Sequence, residues 1–218
     1  MAIYTSKTRI DLEDVGYSNK ITNKAILKIL ENAGARQSET IHFGLNDMEN
    51  VGFSWILLGW KVKILKRPIY NEELTINTWG RESNRIFTYR DYEIYDESGE
   101  LCTIATSKWA IVDINTGKLR ELTPEIIEKY QCETKKVFKE DYTLKLKEPT
   151  TIIRKQEYKA QRRDIDINKH IHNLYYLDYA YEVLPEEVYE APECNNIEIM
   201  YKKQIRLNDE FKCLYTKE

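Results

Sequence analysis

The sequence predicts an α+β protein in which an antiparallel sheet wraps a central helix, and it predicts that plan twice. Three observations carry this. An amphipathic helix near the start is followed by several long strand-like runs rather than by more helices. Turn chemistry separates those runs at short intervals, as in an antiparallel meander. The segment that opens the helix also recurs, in altered form, in the second half of the chain.

Taken in order, a strand is expected over about Ile3 to Leu12. Ile21, Ala25, Ile26, Ile29, Leu30 and Ala33 then mark one face of a helix over Ile21 to Ala33, with Gly34 as its stop. Asn46 to Asn50 is polar and reads as a loop. Four strands are expected at Phe53 to Leu65, Glu73 to Trp79, Asn84 to Tyr95 and Leu101 to Ile114. Turns at Arg67-Pro68, Gly80 to Ser83, Asp96 to Gly99 and Asn115 to Gly117 follow or separate them. Thr123 caps a short helix over Pro124 to Tyr130, and Pro124 suits its first position. Residues 131–150 are charged, with one strand-like run at Tyr142 to Leu146, and read as a connector. It joins a first unit, residues 1–130, to a second, residues 151–218.

The repeat is found by laying DVGYSNKITN (Asp14 to Asn23) on DIDINKHIHN (Asp164 to Asn173). Asp14 then falls on Asp164, Ile21 on Ile171 and Asn23 on Asn173. Downstream, Ile56 to Ile64 pairs with Ile197 to Ile205, each an aromatic-plus-lysine strand. The copies differ in chemistry, because Ser18 and Lys20 of the first become Asn168 and His170 of the second.

Asp166, Asn168 and His170 alternate, so an extended backbone would send all three side chains from one face. Leu174, Leu177, Tyr181 and Leu184 follow at helical steps. A carboxylate, an amide and an imidazole thus converge ahead of a helix N-terminus, whose free N–H groups suit a developing oxyanion. The same residue types cap helices and form turns, and a histidine there can simply be solvated. On residue type alone, a hydrolytic site and a capping turn are both open.

Bulk properties exclude several classes. Lysine and arginine number 33 against 36 acidic residues, a net charge of −3, which gives no global footprint for nucleic acid. Sixteen tyrosines favour strands. No stretch is long and apolar enough to span a bilayer, and MAIYTSKTRIDLED lacks a signal-peptide core, so a cytoplasmic protein away from membranes is expected. Cys102, Cys132, Cys194 and Cys213 are far apart and form no C-x-x-C pair, so reduced thiols, no metal and no cofactor are expected.

RRDIDINKHIHNLYYLDY resembles the Asp-x-Asn-x-His-x-x-Asn-x-x-Tyr segment of acyl-acyl-carrier-protein thioesterases of plants and bacteria. Gly52 to Trp79 resembles that family's first-half strand pair, and Ala105 to Ile126 the strand and turn closing that half. The resemblance implies a tandem double hot dog, two units each with a sheet curled around a long helix. It also implies hydrolysis of the thioester joining a fatty acyl chain to acyl carrier protein, and places Asp166, Asn168 and His170 in the active site. In many members the second-half strand facing this motif carries a Glu, followed in plants by Cys. Here those positions read Gln204 and Ile205, so a cysteine nucleophile is missing there and Gln204 is expected to position water.

From Ile171 to Glu218 the second unit is about half as long as the first from Thr22 to Ile114, so it is expected to lack its final strands. An open sheet edge of that kind invites pairing with another chain, a homodimer included. Ile26, Leu30, Trp55, Leu57 and Trp60 are candidates for an apolar acyl pocket in the first unit, or for plain core. Carrier protein is acidic, so Arg162, Arg163, Lys169, Lys202 and Lys203 are candidate docking residues, or a solvated face. Two rival functions are a non-catalytic acyl-thioester-binding module and a hot dog dehydratase or hydratase. The latter typically sets its His one position further from the Asn.

Overall fold

The computed structural model describes residues 3–81, 85–140, 145–148, 150–189 and 194–217. In chain order its elements are β1 (Tyr4–Arg9), α1 (Asn23–Thr40), α2 (Met48–Val51), β2 (Phe53–Ile64), β3 (Glu73–Gly80), β4 (Thr88–Tyr95) and β5 (Leu101–Asp113). There follow β6 (Leu119–Arg120), α3 (Pro124–Tyr130), β7 (Arg154–Lys159), α4 (Tyr175–Glu182), α5 (Glu186–Tyr189), β8 (Asn196–Met200) and β9 (Glu210–Tyr215). Two compact units result: residues 1–144 with 195–200, and residues 145–194 with 201–218. These divisions depart from 1–130, 131–150 and 151–218, because β8 joins the first sheet and most of the connector packs there as well.

Thr22 starts the central helix by accepting the Ala25 N–H at 3.1 Å, which satisfies one of the free donors of the first turn. The expected stop at Gly34 is wrong, since α1 runs on to Thr40. The glycine serves packing instead. A Cβ there would meet Tyr92 Oη at 2.9 Å and Arg90 Cδ at 3.2 Å, so its absence lets the helix lie close on β4. Ala25, Ile26, Leu27, Ile29, Leu30 and Ala33 are all buried, a wider arc than one amphipathic stripe.

The first sheet is antiparallel, in the order β1-β3-β4-β5-β2-β8, with β6 added to β5. The four expected strands are β2 to β5, though β4 begins at Thr88, and Asn84 and the Glu82–Ser83 part of the expected turn lie outside the described residues. A register shift between Leu57 and Gly59 makes a bulge in β2. Strict alternation would turn Trp60 away from the face Leu57 uses; the extra residue restores it, and both are buried. Asn46 to Asn50, expected as loop, is helical instead, because the Glu39 carboxylate accepts the Leu45 N–H at 2.7 Å and the Asn46 amide at 3.1 Å. Helix α3 forms where expected, with Thr123 accepting the Ile126 N–H.

The stretch after α3 is laid along the first sheet rather than left as a link. Glu133 N–H bonds Gly80 O at 2.8 Å, the Trp79 indole bonds Lys135 O at 2.9 Å, and Val137 N–H bonds the buried Asp91 carboxylate at 3.0 Å. Of the strand-like run at Tyr142 to Leu146, residues 142–144 lie outside the described residues, and Lys145 and Leu146 have no regular secondary structure.

In the second unit β7 pairs with β9, and Tyr158, Tyr179 and Phe211 form an aromatic cluster with centroids 4.8–5.8 Å apart that seats α4 on the pair. The internal repeat is exact at the level of backbone bonds. Thr22 N–H to Asp14 O recurs as His172 N–H to Asp164 O, both 2.9 Å. Gly16 N–H to Lys20 O recurs as Asp166 N–H to His170 O, both 3.0 Å, and left-handed Asn19 (φ 60°) recurs as Lys169 (φ 63°). Ile21 N–H to Pro68 O recurs as Ile171 N–H to Ile205 O, so Ile205 is the counterpart of Pro68 and Gln204 that of Arg67. The pairing of Ile56–Ile64 with Ile197–Ile205 is therefore out by several residues. Only Asn196–Met200 is strand there; it corresponds to Gly59–Lys63 and hydrogen-bonds to that same stretch, from Gly59↔Met200 to Lys63↔Asn196.

Candidate active site

Asp164 anchors the site from below. It is buried, and its Oδ2 accepts the Gln161 N–H at 2.7 Å and the Tyr179 hydroxyl at 2.6 Å. Burial, with that bond to a carboxylate, pushes the Tyr179 phenol up to about 12, so it stays a donor. These bonds fix the turn of chain that follows.

That turn brings Asp166, Asn168 and His170 together, but not as an extended strand would. Lys169 N–H bonds Asp166 O at 3.0 Å, and Lys169 takes the left-handed conformation that closes the loop. The Asp166 carboxylate folds back: Oδ1 accepts the Asn168 N–H at 2.8 Å, and Oδ2 lies 3.5 Å from the Asn168 side-chain amide. His170 Nδ1 stands 3.7 Å from Asp166 Oδ2 and 3.2 Å from Ile171 O. The Asp166 and His170 side chains are 13% and 16% exposed, so the pair is sheltered yet reachable, while Asn168 is exposed.

The trio does not sit on the helix N-terminus. Helix α4 starts at Tyr175, with Leu174 as its N-cap; ahead of it, His172 Nδ1 accepts the Leu174 N–H at 3.3 Å and the His172 carbonyl accepts from Tyr175 at 2.9 Å. His172 occupies the place of Thr22 in the first repeat, which the sequence alignment of the two copies already shows. The oxyanion would thus have to be met by Asn168 or by backbone N–H groups of the turn.

Gln204 lies on irregular chain, with its side chain exposed, just before Ile205 and Arg206, which pair with Ile171 and His170. It is not on a strand, because β8 ends at Met200. Arg162, Arg163, Lys169, Lys202 and Lys203 are all exposed; Arg163 stands 3.7 Å from Asp164, and Lys202 pairs with Glu148 at 3.2 Å. Ile26, Leu30, Leu57 and Trp60 are buried core of the first unit, whereas Trp55 is half-buried against Phe53 and Tyr130. Among the described residues no group of three His, Cys, Asp or Glu could hold a metal ion, and no helix is long and apolar enough to cross a membrane.

Residues 1–130 match the acyl-ACP thioesterase N-terminal domain model, and residues 147–218 match the C-terminal domain model of the same family. Oleoyl-acyl carrier protein thioesterase 1, chloroplastic, of Arabidopsis thaliana is 24% identical over 229 residues, covering 98% of this chain and 63% of that protein. The oleoyl-acyl carrier protein thioesterase of Coriandrum sativum is 25% identical, over 94% of this chain and 60% of its own length. The chain thus spans a little under two thirds of these relatives. Among solved structures, the 12:0-ACP thioesterase from Umbellularia californica superposes with a TM-score of 0.86 at 18% identity, covering 98% of this chain and 87% of that one. An acyl-ACP thioesterase from Bacteroides thetaiotaomicron gives 0.84 at 22% identity, over 96% and 84%. A sheet wrapped on a helix, with its opening strand, turn and helix entry repeated, defines a hot dog protein of the α+β class. Within that class, the chain belongs to the acyl-ACP thioesterase family.

Proposed function

We propose that the protein hydrolyses the thioester of fatty acyl carrier protein, releasing free fatty acid by water attack. The observation that carries this is the Asp166–Asn168–His170 turn, with His170 Nδ1 held between Ile171 O and Asp166. A proton on Nδ1 is satisfied by Ile171 O, with the Asp166 carboxylate close behind, which leaves the Nε2 lone pair to take a proton from water. Asp166 steadies the imidazolium as it forms, and the exposed Asn168 amide can hold the water or the carbonyl oxygen. A thiol leaving group, with a pKa of about 8.5, departs without a strong general acid.

The cysteines fit this reading. Burial pushes the Cys102 thiol up to about 11 and raises that of Cys213, so neither supplies much thiolate at neutral pH. Incubating the protein with carrier protein loaded with acyl chains of graded length, and following free thiol, should show release with a length optimum. No release at any length would overturn the proposal. Because Gln204 is exposed beside the paired backbone of His170, Gln204→Glu should leave turnover unchanged or raise it. A collapse in the same assay would show that the amide has a role the acid cannot fill.

A further inference from the structure

Beside the turn lies a cavity of about 320 Å³ lined by Lys159, Ala160, Gln161, Arg162, Leu207 and Asn208. Its walls are tied by Ala160 N–H to Asp209 O at 3.0 Å, Asn208 N–H to Ala160 O at 3.2 Å, and Gln161 N–H to the Asp164 carboxylate at 2.7 Å. Arg206, two residues from Asn208, faces His170, so the cavity is close to the candidate base.

The internal repeat provides a comparison. The counterparts of these residues are Arg9, Ile10, Asp11, Leu12, Tyr70 and Asn71. There the cation is committed, since Arg9 donates to Asn71 O and has Glu97 at 3.6 Å and Glu73 at 3.9 Å. The place of Arg162 is taken by Leu12, and that of Gln161 by Asp11. In the second unit, neither Lys159 nor Arg162 has a carboxylate at ion-pair distance among the described residues. Glu210 faces Lys159 across the β7–β9 register without pairing to it. Two cations without an ion-pair partner among the described residues therefore line a small cavity in the repeat that also carries His170, where the first repeat has a committed arginine and a leucine.

We propose that this cavity is a phosphate subsite for the arm that presents the thioester, with Lys159 and Arg162 holding the phosphate. The proposal rests on the hydrolase reading above and deepens it. A pantetheine arm carries, in order, a phosphate, a gem-dimethyl carbon, a hydroxyl and two amides. The guanidinium of Arg162 and the ammonium of Lys159 suit the phosphate, Ala160 and Leu207 the dimethyl carbon, and the Gln161 and Asn208 amides the hydroxyl and first amide. Carrier protein and coenzyme A both present this phosphate.

Titration with 4′-phosphopantetheine and with pantetheine reads the subsite without catalysis. The phosphorylated compound should bind more tightly, and Arg162→Leu, which installs the first repeat's residue, should weaken it by about tenfold, as loss of a charge-assisted phosphate contact does. Equal binding of the two compounds, or no effect of Arg162→Leu, overturns the proposal. In kinetics, the ratio of kcat/KM for acyl-phosphopantetheine over acyl-pantetheine should fall by a similar factor in Arg162→Leu and in Lys159→Ala. A fall in both rates with the ratio unchanged overturns it, since the residues would then act on the fold or the chemistry. Acyl-CoA and acyl carrier protein should lose the same factor. A loss confined to acyl-CoA points to the nucleotide, and one confined to carrier protein points to surface docking; either overturns the shared-phosphate subsite. If phosphopantetheine binding behaves as expected but no thioester is cleaved, the subsite stands and the hydrolase reading fails.

Discussion

His170→Ala is expected to lower kcat for acyl carrier protein hydrolysis by about 10²–10⁴-fold, the usual contribution of a positioned general base. The melting temperature should fall by no more than about 2–4 °C. The backbone of His170 keeps its bonds, because Asp166 N–H donates to the His170 carbonyl, and the adjacent Ile171 N–H donates to Ile205 O. The Asp166 carboxylate still accepts from Asn168, while Ile171 O loses the imidazole donor, a cost of about 1 kcal/mol. KM should change little, since the role proposed for the imidazole is on the attacking water and not in holding the acyl chain. Free-thiol assays beside thermal unfolding check both halves of this. Near-normal turnover in the variant would remove His170 from the mechanism, and a loss of folding equal to the loss of rate would make it structural.

What the sequence showed of this molecule was the part written in local rules. The starts of α1 and α3 follow from Thr22 and Thr123, whose caps need only the next turn of chain. The repeat was visible as Asp14 on Asp164 because a buried turn carboxylate cannot be swapped freely, and both aspartates are in fact buried. The trio was legible as a group, although its members meet by an Asx-type turn and not by strand alternation.

The misses came from contacts between residues distant in the chain. Gly34 reads locally as a stop, yet its role is set by Tyr92 and Arg90 across the helix–sheet interface. In the downstream half of the repeat the aromatic-plus-lysine pattern points to the wrong alignment, because the register is set by the hydrogen bonds to Pro68 and Ile205. His172 carries no local signature of a helix entry, since histidine is an unusual residue there, even though it falls on the helix-capping Thr22.

Trp60→Ala is expected to be the most damaging single change to the first unit, at about 3–5 kcal/mol, the range for truncating a large buried aromatic side chain. Total stability is only ~5–15 kcal/mol, and in a chain of this size the loss would lower the melting temperature by on the order of 10 °C. Three facts argue for the upper part of the range. Trp60 is 1% exposed, its ring centroid is 5.3 Å from that of fully buried Tyr92, and its strand has neighbours on both sides, with Ser107 and Ile199 opposite it. Trp55→Ala, at a half-buried position on the same strand, should cost distinctly less, so the two variants calibrate each other. A drop of only 2 or 3 °C for Trp60→Ala, roughly 1 kcal/mol, would mean the indole borders open space rather than packed core. That outcome would favour Trp60 as acyl-pocket wall, and long acyl chains should then restore the lost stability by filling the void.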